Sequence, residues 1–220
     1  SIHASEFLYK GSLMVIRGNF RPPTIVTQDV IRSSFEQFKD EPNVTVEKMF
    51  LMLEITMEYL TKDSGTIDEK DFLDRADMLL ALGHNVLLSN CENHEMLINY
   101  LSDYKISNLG LVIGVLELQK IILDKFNNNQ DGRLLASFGE LFSQNIKVYV
   151  YPALDPETKM LVTALNMNIP DKIKFLYHYL IDSKQIIPVK KYEEKNLHIY
   201  PNDVLNDIRN AGSGWEQKVP

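Results

Sequence analysis

Apolar positions along the chain alternate between two rhythms. Leu13 to Ile16, Lys48 to Thr56, Asn85 to Asn90, Leu109 to Val115 and Ile146 to Tyr151 are short, dense runs rich in Leu, Ile and Val. Such runs predict buried strands. Lys48 to Thr56 also fits a helix running on to Leu60 nearly as well. Between the runs, apolar residues recur at three- and four-residue spacing. Ile31, Phe35 and Phe38 mark a helix over Gln28 to Lys39. Phe72, Ala76 and Leu79 mark another over Asp68 to Leu82, with Gly83 as its stop. Helices are also predicted for Asn93 to Tyr104, Leu116 to Phe126 and Arg133 to Phe142.

Strands alternating with helices of this length imply βαβ units. The expected fold is an α/β three-layer sandwich: a Rossmann-like, mostly parallel sheet with helices on both faces. In such sheets a ligand sits beyond the carboxyl ends of the strands. Past Pro152 the pattern shortens. A turn at Asp155 to Thr158 precedes an apolar piece, Met160 to Leu165. A helix over Asp171 to Ile181 follows, then extended pieces at Ile186 to Val189 and Leu197 to Tyr200. A last helix, Pro201 to Ala211, is expected to be capped by Asn202 or Asp203. The reading is one domain over residues 1–220, with residues from about 152 onward as its C-terminal helical extension.

Charge narrows the partners. The chain has 220 residues and a formal net charge of -7, so it lacks the basic excess that general nucleic-acid binding needs. No apolar run reaches the roughly 18–20 residues of a membrane span, and no signal peptide is visible. One cysteine, Cys91, cannot form an internal disulfide, which makes a reducing cytoplasm the expected home. A homo-oligomer stays open.

Chemistry concentrates after the first strand, at Arg17-Gly18-Asn19-Phe20-Arg21-Pro22-Pro23-Thr24. Two prolines bar helix at the residues before them, and a helix then opens near Thr27. A strand, a glycine turn and a helix start aim backbone N–H groups and a positive helix end at one spot, which favours a phosphate. Arg17 or Arg21 would add charge, and the Thr24 and Thr27 hydroxyls would donate. Among the other strand ends, Ser89 and Asn90 are polar candidates for the same crevice.

Gly18, Phe20, Pro22 and Thr24 resemble the first signature of nucleotidyltransferases of the nicotinamide-mononucleotide and phosphopantetheine adenylyltransferase type, roughly G-x-F-x-P-x-[HT]-x-G-H. Ile208-Arg209, Trp215-Glu216 and Val219-Pro220 resemble the closing signature of the same family. The family's Gly-His pair falls here on Val26 and Thr27, and its closing serine and threonine are replaced. The chain is also similar to an uncharacterised bacterial family named after this activity. The resemblance implies joining of a mononucleotide, such as nicotinamide mononucleotide, to AMP from Mg2+-bound ATP in NAD biosynthesis. Thr24, Thr27 and Arg209 would be catalytic. Arg17, Gly18, Asn19, Phe20, Arg21, Ser89 and Asn90 would hold the nucleotide or another phosphate-bearing small molecule. Without the histidines, a catalytically inactive relative serving as a regulatory or interaction module is the alternative.

Other clusters read as structural. Cys91, His94 and Glu95 are too few for zinc, although a hydrolase using Ser89 to Glu95 is a third reading. Asn127 to Gly132 imitates a calcium loop but has Phe138 where the bidentate glutamate belongs. Trp215 is expected to pack the tail on the body. His84 and His178 stand alone, and His3 is expected to be solvated.

Overall fold

The computed structural model describes residues 8–57, 69–129, 132–143 and 145–220. Its centre is a six-stranded sheet, every strand parallel: β1 (Ser12–Arg17), β2 (Met49–Thr56), β3 (Asn85–Ser89), β4 (Asn108–Gly114), β5 (Ile146–Tyr151) and β8 (Ile186–Pro188). The spatial order is β3-β2-β1-β4-β5-β8. The chain steps outward from β1 through β2 to β3, then returns to the other side of β1 at β4. The switch point of the sheet therefore lies between β1 and β4. Two short antiparallel strands, β6 (Ala153–Leu154) and β7 (Leu161–Val162), form a separate hairpin.

Helices cover both faces, because alternate strand residues are apolar on both sides. On one face, Met14, Ile16, Leu53, Ile55 and Tyr149 pack with α1 (Ile25–Lys39) and α2 (Glu69–Ala81). On the other, Leu13, Val15, Leu111 and Val148 pack with α3 (His94–Ser102), α4 (Val115–Asn127), α5 (Leu134–Leu141) and α6 (Lys174–Asp182). This is the three-layer sandwich that the alternating pattern predicts. Among the described residues, no helix is long and apolar enough to cross a membrane.

The run from Lys48 resolves as a strand from Met49, buried along its second half between β1 and β3. Two local expectations fail. Leu197 to Tyr200 forms no strand: Leu197 closes a 3-10 turn over Glu194–Asn196, and the chain bends on. The last helix, α7 (Pro201–Arg209), is capped by neither Asn202 nor Asp203. Tyr200 is its N-cap, with Pro201 in the first turn, where a missing N–H is harmless. His3, the turn at Lys62 to Gly65 and part of the Asn127 to Gly132 loop lie outside the described residues.

The segment that follows β8 is tied to the outer side of α1. The Gln37 amide donates to the Pro188 carbonyl at 3.0 Å and accepts from the Lys190 N–H at 2.8 Å. Buried Asp29 accepts from the Glu193 N–H (2.8 Å), the Tyr151 hydroxyl (2.6 Å) and Arg32 (2.5 Å). These bonds fix the path of the chain toward Tyr200 and the start of α7.

Candidate functional site: a crevice at the switch point

A crevice of about 490 Å³ opens at the carboxyl ends of β1 and β4. Its floor includes Ile16 and Val112. The Gly18 to Pro22 turn forms one wall, Thr24 and Thr27 at the start of α1 a second, and Tyr151, Tyr200 and Asn202 a third. Gly114, the N-cap of α4, also reaches it. Three helices thus begin at its rim. Hollows of about 650 Å³ lie elsewhere, along α1 at Arg32, away from the strand ends.

The turn is held by its own polar groups. Arg17 ends β1 directly opposite Glu54 in the register of β2. Its guanidinium makes a two-pronged ion pair with that carboxylate, Nε to Oε2 at 2.6 Å and Nη2 to Oε1 at 2.9 Å. Both side chains are buried. The Ser89 hydroxyl donates to Glu54 Oε1 and accepts the Cys91 N–H at 3.3 Å. One carboxylate therefore ties the carboxyl ends of β1, β2 and β3 together, and the Gly18 N–H adds a bond to the Glu54 carbonyl at 3.1 Å. Arg75 of α2 is buried and donates to Asn19 Oδ1 and to Asp71, while Arg21 pairs with the same Asp71 at 3.2 Å. Among the described residues, Arg17, Arg21 and Arg75 thus gather with Glu54 and Asp71 around this turn.

Phe20 adopts a left-handed backbone (φ 47°), and its ring folds back over Gly18. A methyl group added at Gly18 would stand 2.8 Å from that ring. The glycine thus admits an aromatic side chain. The α1 start is also engaged. Thr24 and Thr27 form a reciprocal capping box: the Thr27 N–H donates to Thr24 Oγ1 at 3.3 Å, and the Thr24 N–H to Thr27 Oγ1 at 3.0 Å. The Ile25 N–H donates to the Lys218 carbonyl at 3.0 Å, and the Lys218 ammonium holds Asp207 at 2.9 Å. Half-buried Trp215 accepts the Lys218 N–H at 2.9 Å, so the tail lies against the first turn of α1.

The predicted residues divide into two groups. Arg17, Gly18, Asn19, Phe20, Arg21, Thr24 and Thr27 meet at the crevice. Ser89 and exposed Asn90 stand two strands away, about 10 Å in sheet spacing; Ser89 reaches the turn only through Glu54. Arg209 is exposed at the last residue of α7, whereas the crevice meets the first residues of that helix. Nine helical residues separate the two ends by roughly 12 Å.

Tyr151, Tyr200 and Arg75 carry no sequence signal of their own. Glu54 does, as a lone acid in an apolar strand, because a buried charge needs a partner. His94 sits at the start of α3, buried, with its pKa driven down to about 4 by burial and secondarily by the Arg17 guanidinium. It is neutral at pH 7. Among the described residues no three His, Cys, Asp or Glu side chains gather as a metal-binding group. No protein-family model matches this chain, and no curated protein matches it in sequence.

Proposed function

We propose that this protein binds a nucleotide, or a closely related phosphate-bearing small molecule, in the switch-point crevice, and that it does so without adenylyl transfer. The observation that carries the reading is the convergence of three helix starts on one crevice, with Arg17 and Arg21 among its lining residues. The apolar wall of Phe20, Val112 and Tyr151 suits a flat ring.

Turnover is a separate matter. In-line attack on an α-phosphate is driven by charge stabilisation and positioning. Thr24 and Thr27 stand where the resembled family has cation-forming or hydrogen-bonding residues, and here they are bound to each other. Arg17 and Arg21 are held by carboxylates, and Arg209 is at the far end of α7. Magnesium would arrive on the ATP phosphates, and the only support for its use is the sequence resemblance.

Calorimetric titration with Mg-ATP and ADP tests binding, with pyrophosphate release measured in parallel on nicotinamide mononucleotide plus Mg-ATP. Binding without pyrophosphate release is the expected result. Steady release would instead establish the adenylyltransferase reading. Absence of heat and of competition at millimolar ligand would remove the crevice as a nucleotide site.

A further inference from the structure

The crevice as described lacks an uncommitted cation, since Arg17 and Arg21 hold Glu54 and Asp71. A candidate comes from a part of the chain with no signature motif. Residues 155–160 form the tip of the β6–β7 hairpin, closed by the Asp155 N–H to the Met160 carbonyl and the Lys159 N–H to the Asp155 carbonyl, both at 2.9 Å. Asp155 Oδ1 is turned inward and accepts from the Glu157 N–H (3.0 Å), the Thr158 N–H (2.7 Å) and the Thr158 hydroxyl (2.9 Å). Those bonds, with a smaller contribution from the nearby Lys159 charge, hold its carboxyl below the usual range, and they fix it on the turn. Lys159 is exposed, and among the described residues no carboxylate lies within 4 Å of its ammonium. That ammonium sits 5.9 Å from the centre of the Tyr200 ring. Tyr200 is both the N-cap of α7 and part of the crevice wall.

The geometry points to Lys159 as the phosphate-binding cation of the crevice, a role that rests on the nucleotide reading above. The hairpin sets the ammonium against the Tyr200 ring, beside the start of α7. The Tyr200 ring parks it there by cation–π attraction, an interaction weak enough at an exposed site to yield to a phosphate. A nucleotide held in the crevice against Tyr200 would have its phosphates within reach of the flexible Lys159 stem. Lysine suits this task, because its flexible stem delivers a compact charge.

The test titrates adenosine and ADP into the wild-type chain, Lys159→Ala and Lys159→Arg, at low and moderate salt. The expected result is that Lys159→Ala weakens ADP about tenfold, the scale of one charge-assisted contact. Adenosine affinity should stay unchanged, Lys159→Arg should recover most of the ADP affinity, and the salt dependence of ADP binding should flatten in the alanine variant. Wild-type ADP affinity in Lys159→Ala, or an equal loss for adenosine, overturns the assignment while leaving the crevice reading intact. A wild-type protein that binds ADP no better than adenosine also overturns it. One that binds neither ligand overturns both.

Discussion

Arg17 and Glu54 occupy opposed positions in neighbouring strands, and each fills the other's hydrogen-bonding plane in a two-pronged pair closed off from solvent. Removing either partner strands a buried charge, a far larger effect than losing a surface pair. Glu54→Gln is expected to destabilise the fold by about 3–5 kcal/mol. The double variant Arg17→Met/Glu54→Leu is expected to recover most of that loss. Urea unfolding of the three proteins measures both, and a Glu54→Gln midpoint equal to wild type would refute the account.

Gly18 is fixed by the ring above it. Gly18→Ala places a methyl 2.8 Å from Phe20, so ring or turn must shift. The expected cost is about 1–3 kcal/mol, the range for overfilling a packed site. In a Phe20→Leu background the added cost of Gly18→Ala should shrink, since the two residues share one space. Thermal unfolding of the four proteins checks this, and additive losses would count against it.

At Thr24, Thr24→Ala is expected to lose about 1–2 kcal/mol, whereas Thr24→Ser retains the cap. The side chain is fully buried, and the alanine variant leaves the Thr27 N–H without its acceptor. Denaturation midpoints separate the two variants. Equal midpoints would mean that the first turn of α1 is secured by the tail alone.

His94 makes stability depend on pH. Its folded pKa of about 4 lies below the 6.5 of the exposed side chain, so the unfolded chain binds the proton first as pH falls. The favourable contribution of the neutral ring is complete above pH 6.5 and is lost progressively down to about pH 4. The loss amounts to roughly 3 kcal/mol across that window. Urea unfolding at pH 7, 5.5 and 4 should show this extra slope in the wild type and not in His94→Leu. Parallel slopes in the two proteins would place the acid sensitivity elsewhere.

The sheet was readable because its strands are apolar on both faces and its helices on one. Leu109 to Val115 and Phe72 to Leu79 carry those periods without interruption. The location of the crevice was equally readable, since the Gly18 turn precedes a helix. What its groups bind was not. Whether Arg17 faces a ligand or a carboxylate depends on the register that sets it against Glu54, a residue 37 positions later. The engagement of Thr24 with Thr27 is local and could be read from spacing, because threonine at both positions completes a capping box. The approach of Lys159 to Tyr200 follows from the hairpin and the bend at Leu197, neither of which has a strong local pattern. Arg209 is a simpler case: sequence shows that it ends a helix but not which end meets the crevice.

The sheet walls off two apolar compartments, one holding Leu79 and the other Leu118, each with no exposed surface. Truncations in different compartments have no shared neighbours through which to compensate. Leu79→Ala and Leu118→Ala should then behave as independent injuries, their combined cost matching the two single costs to within about 0.5 kcal/mol. Evolution could thus retune one side of this molecule while the other stayed untouched.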